Sequence, residues 1–182
     1  MSRKYKFHNK EGLYFVSFAT VYWIDVFVRE EYFIELVTNL QFCIDNKGLK
    51  IYAWCIMPSH VHLIFSSDEK EPGSLLGDYK SFTSKKLQHL IKENPVESRK
   101  EWMTWMFERA GLKNSNVKNG QFWQQHNKPI ELWSNEVIEQ KLNYIHKNPV
   151  VSGFVSEPWH WKYSSAIDYS GGKGLLKIEL LL

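Results

Sequence analysis

Apolar residues along the chain alternate or run continuously in some stretches and recur every three to four residues in others. Residues 13 to 21 are rich in β-branched and aromatic types and read as a first strand. From about Glu30 to Asn46, the residues Phe33, Leu36, Val37, Leu40 and Ile44 fall on one helical face. Lys47-Gly48 ends that helix, with glycine at the C-cap. Leu49 to Met57 predicts a second strand, Pro58-Ser59 a turn, and His60 to Ser66 a third strand returning as a hairpin. A second helix begins at Pro72-Gly73-Ser74 and runs to about Ile91, its stripe marked by Leu76, Tyr79, Thr83, Leu87 and Leu90. Residues 93 to 120 show no clear period: 102 to 107 are apolar, and Asn114 to Gly120 form a polar loop. Phe122 to Gln125 read as a short strand. A third helix starts at Ser134 or Asn135, both good N-caps, and stops near Lys147 because Pro149 follows. Residues 153 to 169 are Trp-rich and irregular, and 175 to 182 read as a final edge strand.

The order strand–helix–strand–strand–helix is that of an α+β fold, a ferredoxin-like antiparallel sheet with packed helices. No repeat, low-complexity tract or boundary divides the chain, so residues 1–182 are expected to form one domain. Composition adds two constraints. The net charge of +3 permits a nucleic-acid partner without demanding one. The 8 Trp, 9 Tyr and 11 Phe supply a large core, with some left to stack on unpaired bases. No apolar run approaches the ~20 residues of a membrane span, and no secretion signal is evident. Cys43 and Cys55 lie in apolar surroundings and read as reduced, buried thiols, which suits a cytoplasmic protein.

Candidate chemistry gathers at His60-Val61-His62. On a strand, both imidazoles share one face while Val61 enters the opposite layer. Such a pair can bind one cation, or can be two polar residues on a solvated face; spacing alone does not separate these, and two histidines are an incomplete metal site. On the third helix, Ile138, Leu142 and Ile145 form the apolar stripe. Tyr144 lies off it, with Asn148 one turn later on the same face. A Tyr so placed is not needed for packing.

The joint pattern closely resembles the single-tyrosine HUH transposases (IS200-like), in particular the REP-associated tyrosine transposases. It is carried by Met-Pro-Ser-His-Val-His (57–62), Tyr-Ile-His-Lys-Asn-Pro-Val (144–150), and the Pro-Trp-His-Trp-Lys-Tyr segment from Pro158. The resemblance implies that His60 and His62 are metal ligands, that Asn148 is the third ligand, and that Tyr144 is the nucleophile. It implies Mg²⁺, with Mn²⁺ also suited to imidazole. The reaction implied is cleavage and rejoining of single-stranded DNA through a covalent 5′-phosphotyrosine, with DNA hairpins beside the cut as the recognised feature. The partners expected are hairpin-bearing single-stranded DNA and, since members of the wider family are often dimers, a second copy. The C-terminal strand is a candidate for pairing across subunits. The place of action is the cytoplasm, associated with the nucleoid. Arg3, Lys4, Lys6, Lys80, Lys86 and Lys141 are candidate DNA contacts, along with the Trp159–Tyr163 cluster. Lys141 or metal-bound water is a candidate base. His146 reads as helix surface or a structural contact. Two other readings compete: a catalytically silent hairpin-binding protein that keeps the fold but drops the chemistry, and a small metal-dependent phosphodiesterase using His60 and His62 with water as nucleophile.

Overall fold

In the computed structural model, which describes residues 7–112, 114 and 120–181, the hairpin of β2 (Leu49–Met57) and β3 (His60–Ser67) forms half of the sheet. β1 (Tyr14–Ala19) pairs antiparallel with the other side of β3, and the two-residue β4 (Ile130–Glu131) pairs with β1. The order β2-β3-β1-β4, antiparallel throughout, is the expected ferredoxin-like arrangement.

Strand alternation divides the core into two layers. On one face Val16, Phe18, Trp54, Ile56, Val61, Leu63 and Phe65 pack against α1 (Glu30–Lys47) and α2 (Pro72–Glu93). On the other, Phe15, Ala53, Cys55, Met57 and Ile64 pack under a helix whose stripe includes Ile138, Leu142 and Ile145. α1 ends where Gly48 turns to φ 67°, the left-handed C-cap expected of glycine. Both cysteines are free and buried.

Four expectations need correction. Residues Lys100–Gly111 form a helix, α3, that the pattern does not announce: Met103, Phe107 and Ala110 are buried at helical spacing, but Trp102 and Trp105 are half-exposed and blur the stripe. Phe122 to Gln125 are not a strand; Trp123 makes one bridge to Thr20, and β4 follows later. The helix expected to stop near Lys147, here α4 (Asn135–Val151), runs through Pro149. The proline lacks one N–H, but it is buried and lies in the last turn, which Ser152 closes by donating to the Asn148 carbonyl. The C-terminal residues 175–181 form no strand; Glu179 N donates to the Ile51 carbonyl, and that hydrogen bond does not grow into a ladder.

The tail instead laces along the outer edge of β2. Ile56 N donates to the Tyr163 carbonyl, Ser165 N donates to the Trp54 carbonyl, and Trp54 N donates to Ser165 Oγ. Trp161 is partly buried and its indole donates to the Ile56 carbonyl, whereas Trp159 is 46% exposed.

Candidate active site

The start of β3 supplies the histidines. Register places Met57 and Ala19 opposite His60, and Cys55 and Ser17 opposite His62. Three of those four neighbours are small. The rings lie 4.7 Å apart on the face covered by α4, while Val61 is buried in the opposite layer as the alternation requires.

α4 brings the second half. Ser134 caps it, its hydroxyl accepting from Val137 N. Ile145 is fully buried against the sheet, and His146 is also buried, its Nε2 2.9 Å from Ser165 Oγ and its ring 5.0 Å from Tyr169. His146 is thus an internal tie between α4 and the tail, not helix surface. With that side pinned, Tyr144 and Asn148 face the histidines. The Tyr144 ring is 5.2 Å from the His62 ring, and Asn148 Nδ2 is 3.3 Å from His62 Nε2 across 86 residues of sequence. Tyr144 remains 49% exposed, so a large substrate can reach its hydroxyl.

Phe15 completes the floor. Its ring stacks on His62 at 5.9 Å and meets Tyr144 edge-on at 6.0 Å. Lys141 holds its ammonium 5.2 Å from the Phe15 ring and 5.9 Å from the Tyr144 ring. Burial lowers both histidines: His62, aided by His60, is pushed down to about 3, and His60 also falls below its ordinary value despite the Asn148 hydrogen bond. At neutral pH both imidazoles are neutral and offer lone pairs. His60 Nδ1 lies 3.2 Å from Ser59 Oγ, which leaves Nε2 as its remaining ring nitrogen. His62 Nδ1 is buried without a partner among the described residues.

Among the described residues no three His, Cys, Asp or Glu side chains converge on one point. A cation here would have two imidazoles and the Asn148 amide, a neutral donor set. The orientation of that amide is a choice between O and N; turned over, its carbonyl oxygen faces His62. The residues fit a divalent cation that keeps open positions.

The chain matches the family model described as "Transposase IS200 like" over residues 13–110, from just before β1 through most of α3 and including both histidines. This chain belongs to the IS200-like transposase family. A Haemophilus influenzae protein described as a REP-associated tyrosine transposase is 22% identical over 165 residues, covering 91% of this chain and 85% of that protein. The solved structure of a REP-associated tyrosine transposase bound to a REP hairpin shares the fold at a TM-score of 0.64 and 17% identity, covering 98% of this chain and 92% of that one. As a member of this family the transposase is an enzyme of DNA cleavage and transposition. Its helix α4, with Tyr144 and Asn148, lies beyond the matched segment.

The candidate DNA contacts fall apart spatially. Lys141 reaches the site. Lys80 does not: its ammonium donates to the Gln124 carbonyl and to Asn127 Oδ1 and sits over Phe18, with burial lowering it to about 8. Lys86 lines a groove of about 700 Å³ between α1 and α2, on the layer opposite the histidines. Arg3, Lys4 and Lys6 lie outside the described residues. No helix among the described residues is long and apolar enough to cross a membrane.

Sequence reasoning does not find Phe15, which becomes visible only once β1 and β3 are in register. Nor does it find the turn after β1. There Tyr22 and Trp23 both take left-handed backbone, φ 56° and 58°, a conformation that costs a residue with a side chain about 1–2 kcal/mol. The Trp23 ring lies 5.4 Å from His60.

Proposed function

We propose that the whole chain acts as one HUH domain that cuts and rejoins hairpin-bearing single-stranded DNA through a covalent bond to Tyr144. The observation that carries this reading is the convergence of Tyr144 and Asn148 on His62, with a fully buried Ile145 fixing the helix that presents them. His60, His62 and the Asn148 carbonyl would hold a divalent cation, Mg²⁺ or Mn²⁺. When bound, it supplies positive charge opposite the scissile phosphate, undiminished because all its protein ligands are neutral.

The chain's own groups do the rest. The Tyr144 phenol gives up its proton and its oxygen attacks phosphorus. The bond from phosphorus to the 3′-oxygen breaks, and that oxygen leaves as a hydroxyl. A 5′-phosphotyrosine remains. A 3′-hydroxyl then attacks the same phosphorus and expels the Tyr144 oxygen, which regains a proton. The phosphodiester energy is kept in the adduct, so no nucleotide is consumed. Lys141, its ammonium 5.9 Å from the phenol ring, adds positive charge where the phosphate would lie. One chain contains all four groups, so the site needs no helix from a second copy. The setting is the cytoplasm, on chromosomal DNA.

The test is a denaturing gel with hairpin-bearing single-stranded oligonucleotides and Mg²⁺. Wild type should give a covalent protein–DNA band, lost on chelation and restored by Mg²⁺ or Mn²⁺. Tyr144→Phe should give none, and a band that persists in that variant would overturn the assignment. Cut products without an adduct would favour a hydrolase with water as nucleophile. His62→Ala should abolish cutting yet retain hairpin binding.

A further inference from the structure

The turn that follows β1 is strained, rigid and aimed at the site. Val21 and Ile24 are buried, but the two aromatic residues between them are left in water, Tyr22 at 44% and Trp23 at 57% exposure. Left-handed backbone suits glycine or asparagine; here it is occupied twice by large rings that the core does not use. The conformation is held from several sides. Thr20 Oγ1 donates to the Ile24 carbonyl at 2.8 Å and lies 3.2 Å from the Ser59 carbonyl, Thr20 N donates to Ser59, and Val21 N donates to the Phe122 carbonyl. Trp123 and Gln124 close the other side, Gln124 Nε2 donating to the Thr20 carbonyl.

Four rings cross the site in sequence: Tyr144 to His62 at 5.2 Å, His62 to His60 at 4.7 Å, and His60 to Trp23 at 5.4 Å. Trp102, Trp105, Trp133 and Trp159 are exposed as well. Among the described residues, Trp23 is the exposed tryptophan with a ring contact to one of the paired histidines.

We propose that Trp23 is a positioning residue of the DNA strand, stacking on an unpaired base next to the scissile phosphate on the side of the histidines away from Tyr144. The inference rests on the proposed cleavage site. Base stacking on aromatic side chains tolerates any base and fixes the strand without reading it. The rigid turn keeps the indole in place before DNA arrives, so little order is lost on binding. The strained backbone is what presents a ring at the end of β1 where an unstrained turn would point it elsewhere.

The experiment uses full-length Tyr144→Phe protein, so that no chemistry occurs, and hairpin oligonucleotides with 2-aminopurine walked through the single-stranded flank. The parent should quench 2-aminopurine at one or two positions. Adding Trp23→Ala should remove that quench and weaken binding about 10-fold, while Trp23→Phe keeps most of both and Trp23→Leu does not. Unchanged melting temperatures would separate stacking from support of the fold. Equal quench and affinity in Trp23→Ala would overturn the inference, as would full rescue by Trp23→Leu or failure of the parent to bind single strands. A Trp23-dependent quench in a protein whose Tyr144→Phe variant still cuts would leave the stacking role standing and overturn the nucleophile instead.

Discussion

His62 is an imidazole almost without water, 2% exposed, beside a second imidazole and an amide. Burial holds it neutral, which disposes it to donate a lone pair and not to carry charge. The buried His146 has a different use. It joins α4 to Ser165, which in turn bridges to Trp54 of β2, so the face of α4 away from Tyr144 is pinned by hydrogen bonds. His146→Ala leaves a buried hydroxyl short of a partner and opens a small void; it should lower stability by about 1–3 kcal/mol, measurable by chemical denaturation. Hairpin binding should survive, while adduct formation slows because Tyr144 loses its fixed approach. These residues differ in how far the sequence foretells them. Strand alternation and helix pitch suffice to put His60 with His62 and Tyr144 with Asn148. Nothing in local spacing says that Phe15 will lie under His62, because that depends on a strand register set by the whole sheet.

At the scale of elements, the readable parts are those with one clean period. α1 and the β2–β3 hairpin match their expected bounds within a residue or so, since a continuous apolar run, a Pro-Ser turn and Gly48 leave few alternatives. α3 escapes notice because its exposed tryptophans add apolar residues off the buried stripe. β4 is two residues long and carries no pattern of its own. α4 outlasts its proline because local propensity yields to burial. Gly48 offers a test of element boundaries. A Cβ there would meet Glu69 at 2.9–3.0 Å, and the left-handed φ adds its own cost. Gly48→Ala should therefore destabilise by about 1–2 kcal/mol, seen as a lower denaturation midpoint, with no change in the chemistry of the site. Helix capping gives a second, milder case: Ser134→Ala should cost about 1 kcal/mol and loosen the start of α4.

Over the whole molecule, one buried carboxylate ties the helical layer together. Glu97, in the α2–α3 loop, pairs with Arg29 at the start of α1 and with Arg99 at the start of α3, at 2.9 and 3.0 Å. Burial alone would raise its pKa; hydrogen bonds from Arg99 and Arg29 outweigh that and hold it at about 2. A lowered folded-state pKa contributes stability above the unfolded value of 4.5, and that contribution fades as pH falls toward about 2. Wild type should lose stability across that window more steeply than Glu97→Gln, as acid titration of the unfolding midpoint would show. At neutral pH the same substitution should cost about 1–3 kcal/mol, because the two guanidinium groups, each about a third exposed, lose a charged partner but keep the Val96 and Asp25 carbonyls. The tail along β2 has a consequence of another kind. Unpaired strand backbone recruits further strands, and β2 is nine residues of largely buried sequence. Residues 163–165 and 179 occupy its outer hydrogen-bonding groups at Ile51, Trp54 and Ile56. The last segment of the chain is thus an edge guard. A protein truncated after Gly153 should precipitate or form β-rich oligomers on expression, even though every residue of the Tyr144 site is still encoded in it.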